Sequence, residues 1–273
     1  MINKILVPTD YSKASTNALK FALTIAASNN ACLQILHVND NVSKFDDNSS
    51  TEKSELIRGA MAGNFHQSHG VKTEIIFTEG IVGHAIVKTI FENKIDLVIM
   101  GSHGKAGYRD LFIGSNSYYT IKRATCPVLL IPEHDDWGEF CKVLLPVRQA
   151  LFSPILIEFI ENLTRHNTKK CLLQIVEIGQ VEKKTGTTTL SKAIQEANIK
   201  NEKNKIEISL SNGKNKDLAE FVLQRARTIN ADLIVIPQGM DLVSNPFFVG
   251  PFSQKIINHA KSPVLSILRT SHN

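Results

Sequence analysis

Apolar residues along this chain fall into short unbroken runs, separated by longer stretches in which they recur every three or four positions. Ile5 to Pro8 is a continuous apolar run, which predicts a strand buried on both faces. Lys13 to Ser28 carries Ala18, Phe21, Ala22, Ile25 and Ala26 at helical spacing, with Ser12 placed to cap it. Cys32 to Val38 predicts the second strand, followed by a polar loop from Asp40 to Ser50 and a helix from Thr51 to Ser68. Val71 to Thr78 alternates as a third strand. Gly80 to Asn93 predicts a helix through Ile81, Val82, Ala85, Ile86 and Ile90. Ile95 to Met100 is the fourth strand, Asn116 to Arg123 a fourth helix, and Val128 to Ile131 the fifth strand.

Strict alternation of apolar strands with amphipathic helices predicts an α/β fold, in which a parallel sheet is covered by helices on both faces. The pattern then repeats. Lys4-Ile5-Leu6-Val7-Pro8 returns as Lys142-Val143-Leu144-Leu145-Pro146, Leu33-Gln34-Ile35 as Leu173-Gln174-Ile175, and Ala124-Thr125-Cys126-Pro127-Val128-Leu129 as Ala260-Lys261-Ser262-Pro263-Val264-Leu265, at offsets of 138, 140 and 136 residues. A near-constant spacing across the whole length indicates two copies of one domain-sized unit. The expected domains are residues 1–136 and 137–273, meeting in the polar stretch from Glu133 to Glu139.

Composition narrows the picture without naming a chemistry. Of 273 residues, 42% are hydrophobic and 21% charged, as in an ordinary globular protein with a core in each half. The formal charge of +5 comes from scattered lysines, without basic runs or interleaved aromatics, which argues against nucleic acid as a partner. Met1-Ile2-Asn3-Lys4 leads directly into a strand pattern, and no apolar run approaches the ~18 residues of a membrane span. A cytoplasmic location without membrane contact is therefore expected. Cys32, Cys126, Cys141 and Cys171 lack C-x₂-C spacing and read as small apolar residues, with neither a disulfide nor a metal site expected.

The candidate chemistry lies at the ends of two strands. Gly101, Gly104 and Gly114 with Ser115 spell G-x₂-G-x₉-G-S directly after the fourth strand and before a helix. Backbone N–H groups and a helix N-terminus can converge on an anion in such a setting. Ligands of open parallel sheets bind beyond the carboxyl ends of the strands, where strand order reverses. If the first and fourth strands are neighbours, Pro8-Thr9-Asp10 and Gly101-Ser102-His103-Gly104 face one crevice, a carboxylate toward a sugar or base and a glycine loop toward phosphate. The plain alternatives are Asp10 as a helix cap, the glycines as backbone geometry alone, and His103 as an exposed loop residue. Lys105 follows Gly104, but the P-loop pattern G-x₄-G-K-[ST] is absent.

Taken together, Pro8-Thr9-Asp10, His37-Val38, Glu79-Gly80, Gly101-Ser102-His103-Gly104, Gly114-Ser115 and Cys126-Pro127-Val128 resemble the universal stress protein family, in its tandem form of two fused domains. The resemblance implies two Rossmann-like, doubly wound domains of the adenine nucleotide alpha hydrolase-like type, each a five-stranded parallel sheet in the order 3-2-1-4-5 with flanking helices. It implies ATP or another adenine nucleotide as ligand, with or without Mg2+. By the same resemblance Pro8 and Thr9 lead into Asp10, which holds the adenosine moiety. Val38 meets adenine through its backbone, and Gly101, Gly104, Gly114 and Ser115 wrap ribose and phosphates. Asn116 and Ser117 add donors at the helix start. His103 is kept as a candidate phosphate contact beside its plain reading as an exposed loop residue.

The second copy departs from that pattern. Aligned by the repeat, Asp10 becomes Arg148, Gly101 becomes Pro237, Gly104 becomes Met240 and Ser115 becomes Pro251, with only Gly250 kept in place. Charge is reversed, amide donors are lost and bulk is added, so one nucleotide site per chain is expected, in the first copy. The second copy is expected to be structural, pairing with the first through Val128–Ile131 and Val264–Ile267 as an internal pseudo-dimer. Neither a nucleophile–base pair nor a metal-ligand cluster stands out. The favoured reading is a stress-related nucleotide-binding regulator with an unidentified protein partner and with homodimers conceivable. The alternatives are a slow ATPase or phosphotransferase and a ligand-independent scaffold.

Overall fold

The computed structural model describes residues 1–40, 70–102, 113–133, 138–148, 153–178, 217–237, 239–241 and 250–267. The chain divides into two compact units, Met1–Tyr108 with Gly114–Asp135 and Arg109–Ile113 with Asp136–Asn273. The first contains β1 (Lys4–Thr9), α1 (Lys13–Asn29), β2 (Cys32–Asn39), β3 (Thr73–Glu79), α2 (Val82–Asn93), β4 (Leu97–Gly101), α3 (Ser115–Arg123) and β5 (Val128–Ile131). The second contains β6 (Lys142–Val147), α4 (Pro154–Leu163), β7 (Leu172–Glu177), α5 (Leu218–Ile229), β8 (Leu233–Pro237), α6 (Pro251–His259) and β9 (Val264–Ile267).

Every strand pairing within a unit is parallel. In the first unit the order is β3-β2-β1-β4-β5, and in the second β7-β6-β8-β9. The residues in which a further strand of the second unit would fall, 179–216, lie outside those described, as does the helix expected over Thr51–Ser68. The all-apolar strands are buried as their composition requires: Ile5, Leu6 and Val7 of β1 and Leu97, Val98 and Ile99 of β4 have no exposed surface. Helix α1 lays Ala18, Leu19, Ala22, Ile25 and Ala26 into the same core, and each fully buried large aliphatic side chain contributes roughly 1.5–3 kcal/mol.

Local chemistry sets the helix ends. Ser12 accepts the Ser15 N–H at 3.2 Å and caps α1, as its position predicts. Helices α1, α2 and α5 each stop at a left-handed residue, Asn30 (φ 58°), Lys94 (φ 53°) and Asn230 (φ 51°), whose N–H turns back to the last carbonyls. The expected third helix begins two residues late. Gly80 has φ 122° and cannot be helical, so Ile81 becomes the cap. The fourth strand begins at Leu97 instead of Ile95, because Asp96 turns its carboxylate onto the N–H groups of Asn3 and Lys4 at 2.8 and 2.9 Å. Asp232 does the same to Cys141 and Lys142, at 3.0 and 2.8 Å. The two clamps are 136 residues apart (232 − 96), so the repeat extends to this contact.

Candidate functional site

In the first unit β1 lies between β2 and β4, with Ile5 opposite Leu97 and Leu6 opposite Val98. The carboxyl ends of β1 and β4 are therefore side by side. Beyond β1 the chain is held in a tight turn: Thr9 is buried and its Oγ1 accepts the Tyr11 N–H at 3.1 Å, while Asp10 Oδ1 accepts the Ser12 N–H at 3.0 Å. Tyr11 adopts φ 61° to make that turn, a conformation that costs a non-glycine residue of order 1 kcal/mol and clusters at functional sites. Asp10 is not the cap of α1, because Ser12 fills that position; its carboxylate shapes the turn in front of the helix. Pro8 is buried in β1 opposite Leu36.

Gly101 ends β4, and its reason for being glycine is visible. A Cβ there would lie 2.8 Å from Ala14 Cβ and 3.0 Å from the Ala14 carbonyl carbon, closer than side-chain atoms tolerate, so β4 and α1 approach through it. From Gly101 the chain stays near the sheet, with Ser102 donating its N–H to Ile131 at 2.9 Å and Gly114 returning its N–H to the Ser102 carbonyl at 2.9 Å. Gly114 then serves as N-cap of α3 with extended backbone (φ −59°, ψ 145°), without a side chain to cap it. Ser115 and Asn116 are exposed. Ser117 is buried and its hydroxyl donates to the Gly101 carbonyl at 3.0 Å, so what it offers an anion is its backbone N–H. That bond also ties the helix start to the end of β4. His103 and Gly104 lie outside the described residues.

A rim of rings closes the other side. Thr9, His37 and Phe77 are register partners across β1, β2 and β3. His37 Nδ1 donates to the Thr9 carbonyl at 3.0 Å, a geometry that fixes the protonated nitrogen because a carbonyl can only accept. Its ring lies 4.6 Å from Tyr11 and 5.8 Å from Phe77, centroid to centroid. Val38, the next residue, is buried and pairs with Thr78. Tyr11 and Phe77 were not singled out by motif reading. Their signal is positional, an aromatic residue at or just past the carboxyl end of a strand, and it becomes visible only once the strands are aligned.

Tyr119 of α3 stacks on His84 at 5.0 Å, and the missing side chain of Gly83 makes room for it. Among the described residues no group of three or more His, Cys, Asp or Glu is placed to hold a metal ion, and no helix is long and apolar enough to cross a membrane. The cysteines are free thiols; burial pushes Cys126 and Cys171 up to about 12, which leaves them poor nucleophiles.

The corresponding rim of the second unit is filled by its own residues. Met240 is fully buried, and Arg148 Nε donates to the Met240 carbonyl at 3.1 Å. Pro237 ends β8 where Gly101 ends β4.

Comparison with known proteins agrees with the arrangement of the first unit. Residues 1–132 match the Universal stress protein family. Universal stress protein MJ0531 of Methanocaldococcus jannaschii is 32% identical over 141 residues, 48% of this chain and 82% of its own length. Universal stress protein YxiE of Bacillus subtilis is 28% identical over 149 residues, 48% of this chain and 99% of its own. The crystal structure of a universal stress protein from Archaeoglobus fulgidus superposes with a TM-score of 0.74 at 21% identity, covering 98% of this chain and 99% of that one, a likeness of fold. By the family match and the identity to MJ0531, this chain belongs to the universal stress protein family.

Proposed function

We propose that this protein is an adenine-nucleotide-binding regulator with one site, in its first unit, and that it acts by changing its surface toward partners when nucleotide is bound. The proposed contacts are Pro8, Thr9, Asp10, Val38, Gly101, His103, Gly104, Gly114, Ser115, Asn116 and Ser117, with ATP as ligand. Residues 1–136 and 137–273 are read as two universal stress protein domains in tandem, the second one structural.

The observation that carries the reading is the adjacency of β1 and β4. It brings the carboxylate-bearing turn at Asp10 and the glycine-flanked start of α3 to one end of one sheet, the place where open α/β sheets bind ligands. An N-terminus of a nine-residue helix with no side-chain cap favours an anion. The rim of Tyr11, His37 and Phe77 adds flat apolar surface beside it, suited to a base. The second unit has Pro237, Met240 and Arg148 where a nucleotide needs amides and space, which supports a single site.

Calorimetric titration with ATP, ADP and AMP tests this. The expected result is about one nucleotide per chain for wild type and none for Asp10→Arg, whose far-UV dichroism should match wild type. Two equivalent sites, or no binding of any of the three, refutes the proposal. The alternative of a slow ATPase is separated by phosphate release: hydrolysis with magnesium should not exceed that of Gly104→Met, and sustained turnover above that control favours the enzyme.

A further inference from the structure

We propose that the second unit carries its own anion: the Asp241 carboxylate sits on the N-terminus of α6 where a phosphate would sit on α3, and holds that position closed without any ligand. The likeness to phosphate rests on the nucleotide reading of the first unit; the contact does not.

The first turn of α6 is fully accounted for. Pro251 has no N–H, and Phe252 and Ser253 donate theirs to Asp241 Oδ1 at 2.7 and 3.3 Å. The Ser253 hydroxyl donates to Oδ2 at 2.5 Å. The Gln254 N–H already belongs to the helix, reaching the Gly250 carbonyl at 2.9 Å. Two successive amides and a hydroxyl around a carboxylate are the donor set by which a helix start binds an oxyanion, and the fixed charge complements the helix dipole. In α3 the equivalent bond runs from Tyr118 to Gly114 at 2.9 Å, and Gly114, like Gly250, has no side chain with which to cap the helix.

Two sequence features acquire a reason. Gly250 is the one glycine of the motif kept in the second copy, and a Cβ there would lie 2.5 Å from Asp241 Cγ and 2.6 Å from Oδ1. It is glycine because the carboxylate lies against it. Asp241 itself occupies the repeat position of Lys105 (105 + 136), a reversal of charge that suits a residue standing in for a ligand. Met240 beside it is buried and its carbonyl is tied to Arg148, so Met240 and Asp241 are both held in place.

The test is residue-resolved amide exchange of Phe252 and Ser253 in the full chain, with inorganic phosphate as probe. In wild type both amides should be protected and indifferent to millimolar phosphate. In Asp241→Ala their exchange should accelerate about ten- to hundred-fold, the loss of charge-assisted hydrogen bonds, and phosphate should slow it again. Asp241→Asn, which keeps an acceptor but no charge, should show a smaller acceleration and serves as the reading if the alanine variant unfolds. Gly250→Ala should reproduce the acceleration with Asp241 present, by displacing it. Unchanged exchange in the Asp241 variants, phosphate-sensitive amides in wild type, or no slowing by phosphate in Asp241→Ala overturns the proposal. Failure of nucleotide to bind the first unit would leave these amides unaffected, so the two readings fail separately.

Discussion

Replacing Gly101 by alanine separates the structural demand on this glycine from any demand a ligand makes. The added Cβ would meet Ala14 Cβ at 2.8 Å and the Ala14 backbone at 3.0 and 3.2 Å, whereas carbon atoms pack best at about 3.5–4.0 Å. Ala14 is itself 2% exposed, in the first turn of α1, so it has nowhere to yield. Helix and strand must separate by about 1 Å, and overpacking of that kind costs roughly 1–3 kcal/mol. With a urea dependence of about 1–3 kcal/mol/M, the first unit should unfold about 1 M earlier. Hydrogen exchange in urea, followed on peptides from β1 and β4, reads this unit apart from the second. Gly101→Ala with Ala14→Gly should recover part of the loss. It removes the 2.8 Å contact but leaves the two backbone contacts and adds a glycine near a helix start, worth up to ~1 kcal/mol. A wild-type midpoint for ligand-free Gly101→Ala would refute the packing explanation and leave ligand approach as the reason for the glycine.

Three further outcomes follow from other contacts. Ser12→Ala should cost about 1 kcal/mol, seen as faster exchange of the Ser15 amide it caps; unchanged exchange would show the cap to be inert. Glu139 is held down to about 2 by the Thr168 hydroxyl and by the N–H groups of Thr168 and Lys169. Because its folded value is depressed, the stability it lends is complete above about 4.5 and is lost as pH falls toward 2. The melting-temperature gap between wild type and Glu139→Gln should therefore be constant from pH 7 to 5 and shrink below that; a gap that widens on acidification contradicts the assignment. Iodoacetamide at pH 8 should modify half-exposed Cys32 and Cys141 before Cys126 and Cys171, whose thiols burial raises to about 12; mass spectrometry showing early labelling of Cys126 or Cys171 would mean that the unit opens readily.

What the sequence determined by itself is local. Apolar runs announced β1, β4 and β5, because a parallel strand covered by helices on both faces must be apolar on both. Helical spacing and Ser12 placed the start of α1, because capping depends on residues within one turn. The repeat pointed to two copies of one unit, and the glycine motif with the Pro8-Thr9-Asp10 turn marked the residues worth placing. Tertiary structure decided what those residues do, because their partners are remote in the chain. Gly101 is glycine because of Ala14, 87 residues away (101 − 14). Asp96 cuts back the start of β4 because of Asn3 and Lys4. The ring cluster exists because β1, β2 and β3 align Thr9, His37 and Phe77, and no periodicity records strand order. Asp241 is nearer in sequence to its partners, yet in the sequence it is one polar residue after a lost motif, and only the fold that brings the start of α6 onto its carboxylate turns it into the counter-charge of a helix.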